Sequence, residues 1–295
     1  MLSKWATLKS VKQLQLASLS ICSESRACIA FHLRVGRRTP KRLWTTTRST
    51  GKRVGTDSVP PMRVDWLTFR ECFEPAVRNV VWRAGLRKIS FGKQFNHPLT
   101  GVTWPAGLRA IVFGFHFDQP IESVVLPPGL EELEFGPMFD QDISRVKWPI
   151  NLKKLVFGCR FSQTLELTSL PRGLERLQLG CSWNHPLAPV ALSESLTYLR
   201  LGYDFDHPLD EVAWPPGLTH LFLDHSFNQP IGGVAWPALL QQISFGDAFD
   251  QSIAGVEWPT SLQQLSFGST FSQSLAGVAW PRSLRRLTRC GESLM

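Results

Sequence analysis

Leu86-Arg87-Lys88-Ile89-Ser90-Phe91-Gly92-Lys93-Gln94-Phe95-Asn96-His97-Pro98-Leu99-Thr100-Gly101-Val102-Thr103-Trp104-Pro105 is the stretch whose pattern decides the fold. Apolar Ile89 and Phe91 alternate with polar Lys88 and Ser90, the period of a short strand with one buried face. Gly92 ends the strand, and glycine is expected there because the chain turns into backbone space that a Cβ resists. Pro98 and Pro105 keep a regular helix out of the second half, so the return path is predicted to be extended or irregular. After 22 residues the pattern starts again.

The grid is unbroken. Leu67, Ile89, Ile111, Leu133, Leu155, Leu177, Leu199, Leu221, Ile243, Leu265 and Leu287 stand 22 residues apart without an insertion. Glycine recurs at Gly92, Gly114, Gly136, Gly158, Gly180, Gly202, Gly246 and Gly268, with Arg70 and Asp224 as departures within ten coils. A coil with one strand and no helix cannot bury its own apolar face, so its stability must come from stacking on its neighbours. Parallel strands ~4.8 Å apart make such a stack roughly 45 to 50 Å long.

Stacking turns each position into a column. Phe73, Phe95, Phe117, Phe139, Phe161, Trp183, Phe205, Phe227, Phe249 and Phe271 form an aromatic ladder inside the stack. Beside it run Glu74, Asn96, Asp118, Asp140, Ser162, Asn184, Asp206, Asn228, Asp250 and Ser272, short side chains suited to accepting from backbone N–H groups that strand pairing leaves free. The next column is Gln or His in nine coils and reads as a solvated rim. Trp82, Trp104, Leu126, Trp148, Leu170, Leu192, Trp214, Trp236, Trp258 and Trp280 make a further column. Its tolerance of leucine favours packing against the back of the sheet over a carbohydrate-stacking stripe.

Residues flanking the inward side chains point out of the same sheet, and these columns vary. One runs Lys88, Ala110, Glu132, Lys154, Arg176, Tyr198, His220, Gln242, Gln264, Arg286; the other runs Ser90, Val112, Glu134, Val156, Gln178, Arg200, Phe222, Ser244, Ser266, Thr288. Structural columns repeat while these do not, so specific information is expected on this face. Tyr198, His220 and Phe222 adjoin Arg176 and Arg200, with Tyr203 and His225 at the edge; these seven are the candidate partner-binding residues. Aromatic and arginine clusters of this kind are the usual anchors of interfaces.

Charge is unevenly placed. Residues 1–62 hold twelve Lys/Arg against Glu24 and Asp57, while the rest holds twenty basic and twenty-two acidic residues, so the net +8 belongs to the N-terminal segment. That balance argues against nucleic-acid binding by the repeat domain, residues 63–295. Residues 1–62, Ser/Thr/Arg/Lys-rich and off the grid, are expected to stay out of the stack, either as an organellar transit peptide or as a disordered basic arm. The six cysteines show no disulfide framework, which points to a reducing, intracellular setting, and Cys159 and Cys181 read as neighbouring thiols. No stretch is long and apolar enough to span a membrane.

GxxxxGK[ST], GxGxxG in a βαβ unit, HExxH and GxSxG are all missing from the sequence. His185, His207 and Asp206 could suggest a metal site, but they fall in the structural polar and rim columns. Glu131, Glu132 and Glu134 lack a partnering acid or base and read as charge pattern. No catalytic residue, metal or cofactor is expected, and the chain reads as a non-enzyme.

Phe227-Asn228-Gln229-Pro230-Ile231, with Phe95-Asn96-His97-Pro98-Leu99 and Phe117-Asp118-Gln119-Pro120-Ile121, resembles the FNIP repeat, a relative of the leucine-rich repeat. The resemblance covers residues 67 to about 288. It implies a mainly β repeat solenoid, a right-handed leucine-rich-repeat-like stack of ten 22-residue coils with one parallel sheet and non-helical return segments. It also implies a protein-interaction role, joined in some members to an N-terminal F-box, whose helical pattern residues 1–62 lack. The expected function is therefore a scaffold that binds a protein partner on the exposed sheet face. The alternative is a structural solenoid that self-assembles through its terminal coils.

Overall fold

A 22-residue coil interrupted by proline leaves room for only a short strand, and most strands here are three residues long. The computed structural model describes residues 29–30, 65–69, 77–80, 82, 85–165 and 170–294. Its strands are β1 (Ile29–Ala30), β2 (Trp66–Phe69), β3 (Lys88–Ser90), β4 (Ala110–Val112), β5 (Glu132–Glu134), β6 (Lys154–Val156) and β7 (Arg176–Gln178). They continue as β8 (Tyr198–Arg200), β9 (His220–Phe222), β10 (Gln242–Ser244), β11 (Gln264–Phe267), β12 (Arg286–Arg289) and β13 (Glu292–Ser293). All lie in one sheet in chain order. From β2 to β12 every pairing is parallel and in register, Ile89 beside Ile111 and Leu199 beside Leu221.

The two outer strands run the other way. Glu292–Ser293 folds back on β12 through a two-residue turn in which Cys290 and Gly291 both have positive φ, 50° and 81°, the sign pattern of the tight hairpin turns. At the other end Ile29–Ala30 pairs antiparallel with Thr68–Phe69. Two residues of the N-terminal segment thus add to the sheet, on the open edge that β2 offers. The remainder of that basic segment lies outside the described residues.

Among the described residues the returns between strands hold no α-helix, and Val77–Asn79 forms a single turn of 3-10 helix. Most returns close with a tight turn in which the amide beginning the next coil donates to the preceding proline carbonyl, as from Leu108 to Pro105 and from Leu218 to Pro215, at 3.0 and 3.1 Å, while Leu196 donates to the Ser193 carbonyl instead. The core is the set of columns. Phe95, Phe117, Phe139, Phe161, Trp183, Phe205, Phe227 and Phe249 are all 0% exposed. Consecutive rings stack at centroid distances of 5.7 to 6.2 Å wherever Phe or Trp neighbours are paired. Phe113, Phe135, Phe157 and Phe267, the last inward residues of their strands, lie 3.9 Å from the ladder ring of their own coil.

The glycine column has a different cause from the one its sequence suggests. Positive φ is found at Gly101, Gly255, Gly277 and Gly291, none of them in the column. A Cβ at Gly136 would instead come within 1.8 Å of the Gly114 carbonyl oxygen, and one at Gly158 within 2.0 Å of the Gly136 oxygen. The glycines are there because successive coils touch backbone to backbone.

The polar column works as expected and can be followed atom by atom. Asn96 Oδ1 accepts from the Asp118 N–H at 2.9 Å, Asp118 Oδ1 from the Asp140 N–H at 3.1 Å, and Asp140 Oδ1 from the Ser162 N–H at 2.9 Å. A second run links Asn184, Asp206, Asn228, Asp250 and Ser272 in the same way. The Gln/His column is no solvated rim: Gln141, Gln163, Gln229 and Gln273 each donate Nε2 to the same carboxylate oxygen one coil back. His185 and His207 reach the backbone carbonyls of Ser162 and Asn184. These side chains are half-buried because they finish the ladder.

Between Ser162 and Asn184 the ladder is interrupted, since a serine hydroxyl does not reach the next coil as an Asx oxygen does. Across this junction Cys159 and Cys181 form a disulfide, with Cα atoms 4.2 Å apart. The 22-residue grid places these two as neighbouring thiols; the structure keeps them side by side but joins them. Where tryptophans fall in adjacent coils they stack on one another at 6.1 to 6.3 Å, and some stand edge-on to inward phenylalanines, as Trp236 does to Phe245. Their rings are used in packing.

Candidate functional site

The inward residue closing each strand is phenylalanine at Phe91, Phe113, Phe135, Phe157, Phe245 and Phe267 but leucine at Leu179, Leu201 and Leu223. Two of those three coils carry aromatic side chains on their outward positions, and the third carries an exposed arginine. β8 presents Tyr198 and Arg200, β9 presents His220 and Phe222, and β7 presents Arg176. Parallel in-register pairing sets Arg176 beside Tyr198, Tyr198 beside His220, and Arg200 beside Phe222.

The side chains form a stack along the solenoid axis. The Arg176 guanidinium carbon lies 3.7 Å from the Tyr198 ring centroid, a cation–π contact. On the far side of Tyr198, Phe222 is 5.1 Å away with planes tilted by 35°, and His220 is 6.2 Å away at 28°. Arg200 turns aside to Asp224, its Nε 2.9 and 3.2 Å from the two carboxylate oxygens, which holds the guanidinium proton more firmly than usual. At the turn edge Tyr203 and His225 lie parallel at 4.4 Å and 4°, and His225 Nδ1 is 3.2 Å from Asp247. Thus the seven candidate residues occupy one continuous stretch, with five on strands and two on the adjoining turns.

The Thr219 hydroxyl lies 2.8 Å from both the Thr197 carbonyl and His220 Nδ1, which anchors the imidazole by one ring nitrogen. Burial, then repulsion from Arg176, pushes the imidazole pKa below its ordinary value and favours the neutral form.

Sequence reading missed the residues that hold the cluster. Asp224 is the signal that was available: between β3 and β11 it is the one described departure from the glycine column, and its carboxylate fixes Arg200. Asp247 gave no such signal. Phe115, in the same turn column as Tyr203 and His225, is 40% exposed with Lys93 above it at 5.5 Å. Near the sheet face two acidic residues have basic partners, Glu134 with Lys154 and Glu131 with Arg109. Among the described residues no group of three or more His, Cys, Asp or Glu could hold a metal ion, and no helix is long and apolar enough to cross a membrane.

The FNIP repeat family matches residues 95–138, 139–182 and 183–226, two coils at a time. Among solved structures, the circular leucine-rich-repeat protein CroV588 is 32% identical with a TM-score of 0.67, over 76% of this chain and 36% of that one. An internalin, InlF from Listeria monocytogenes, is 19% identical with a TM-score of 0.49, over 64% of this chain and 55% of its own. The chain therefore spans about a third and about half of the lengths of these two proteins. No curated protein sequence matches. Folds of this class commonly serve protein–protein interaction and are typically non-enzymatic. Residues 95–226 match the FNIP repeat, and they stack in a leucine-rich-repeat-like solenoid.

Proposed function

We propose that this protein is a binding scaffold whose partner docks on the outward face of β7 to β9, with Arg176, Tyr198, Arg200, His220 and Phe222 as the contact residues and Tyr203 and His225 as the rim. The observation that supports this most is Asp224. Everywhere else between β3 and β11 the coil contact demands glycine, yet here a side chain is admitted, and it orients an outward arginine. Local rules of a fold are broken where a site gains from the breach. Preordering matters as well, because side chains already stacked lose less freedom on binding.

The test is capture of partners by the full chain, compared with a Tyr198→Ala/Phe222→Ala variant and with a Gln242→Ala/Gln264→Ala control on the bland part of the same face. Proteins retained by wild type and control but lost from the aromatic variant support the reading. An identical set from all three chains sinks it. The self-assembly alternative finds less support, since each edge of the described sheet ends in a two-residue antiparallel strand and leaves no parallel edge to extend.

A further inference from the structure

We infer that the partner segment seated on β7 to β9 is an extended acidic peptide, with one of its carboxylates on the Arg176 guanidinium and an apolar side chain against Tyr198 and Phe222. This rests on the partner-binding reading and adds the chemistry of what is bound. Arg176 is exposed, and Tyr198 covers one face of its guanidinium, which leaves the N–H edges open to solvent in the planar fork that matches a carboxylate. The other full cations on outward positions of β6 to β9 already have their counter-charges, Lys154 in Glu134 and Arg200 in Asp224. Among the described residues Arg176 has no such partner.

The rings carry the same sign outward. Tyr198 on β8 is followed along the axis by His220 and Phe222 side by side on β9, so the stack turns ring edges to solvent, and the edge of an aromatic quadrupole is its electropositive part. Nearby carboxylates are occupied: Glu175 is paired with Lys153 and Asp224 with Arg200. A nucleic acid fits less well, because a phosphate backbone draws its affinity from many neutralising cations and this stretch of sheet offers one unmatched. Coils ~4.8 Å apart and an extended chain rising ~3.3 Å per residue put the acidic and apolar side chains of the ligand within about three positions of each other.

The experiment is selection of a phage-displayed random dodecapeptide library on the immobilised full chain, followed by fluorescence anisotropy with the winning peptide and its Glu/Asp→Gln/Asn copies. Wild type is expected to enrich acidic residues beside an aromatic or aliphatic one, and the amide copy should bind roughly tenfold more weakly, as for loss of a charge-assisted hydrogen bond. Arg176→Gln should bind peptide and amide copy alike, whereas Arg176→Lys should keep the preference for acid. Circular dichroism checks that each variant is folded. Peptides without acidic enrichment, a preference that survives Arg176→Gln, no selected binder at all, or tighter binding of labelled poly-uridine would each overturn the inference. If cellular partners depend on Tyr198 and Phe222 yet ignore Arg176→Gln, the acidic-peptide inference fails while the binding face stands. If they ignore all three residues, the face itself is wrong.

Discussion

Phe222 and Phe245 stand about one coil apart on opposite sides of the sheet, and the same substitution should do different things to them. Phe245 is 3% exposed, with Phe249 at 4.3 Å and Phe267 at 5.5 Å. Phe245→Ala should cost ~3 to 5 kcal/mol of stability by opening a core cavity. Phe222→Ala removes only an outward aromatic pair, ~1 kcal/mol in a melt, but should weaken partner binding by ~2 kcal/mol or more. Melting curves and partner affinity for both variants check the inward/outward phase and the binding claim together. Acid should unfold the protein in two stages. His220 has a lowered pKa, so the unfolded chain takes up its proton first, and stability begins to fall as pH drops below about 6.5. Asp250 and Asp247 are held below the usual range chiefly by the Ser272 and Ser269 amides, and their contribution disappears as pH falls from about 4 through their lowered values. Denaturant midpoints between pH 7 and 3 measure both stages, and His220→Gln should remove the first. At this scale the outward aromatic residues were legible because they break a repeat. Their carboxylate partners were not, because reach between neighbouring coils depends on rotamers.

Strands and columns could be read from the 22-residue grid, since each inward position recurs in phase with its strand. The role of the turn glycine could not. Residue type reveals that a Cβ is absent, whereas only the stacked backbones show what a Cβ would strike. The two kinds of glycine can be separated by experiment. Gly136→Ala drives a methyl into the Gly114 carbonyl, where only backbone could yield, and should cost ~3 kcal/mol or more. Gly101, at φ 77° with nothing within 4 Å of its notional Cβ, should lose only ~1 to 2 kcal/mol on the same change, the strain of a left-handed residue. Urea unfolding of the two variants gives the comparison, and equal losses would show that backbone contact between coils is not what selects glycine. The antiparallel pairing of Ile29–Ala30 was also hidden, because two residues carry no period.

Seen whole, the solenoid carries two polar ladders, one from Asn96 to Ser162 and one from Asn184 to Ser272. Each opens with asparagine and ends with serine. Their junction retains the Trp183 Nε1 bond to the Gln163 carbonyl at 3.0 Å, and it is also where Cys159 and Cys181 are joined across a separation of 22 residues. Closing a loop of that length is worth about 3 kcal/mol in the chain-entropy account. Reduction, or Cys159→Ser with Cys181→Ser, should lower the unfolding free energy by that much, seen as a lower denaturant midpoint. Since repeat arrays are held by nearest-neighbour terms, hydrogen exchange should quicken first around Ser162 to Asn184. A midpoint indifferent to reductant would mean the bond contributes nothing to the junction. The same interruption has a mechanical meaning. Under tension applied at its ends the molecule would behave as two stiff springs in series, and the disulfide is the clasp that decides whether the coupling between them yields before the springs do.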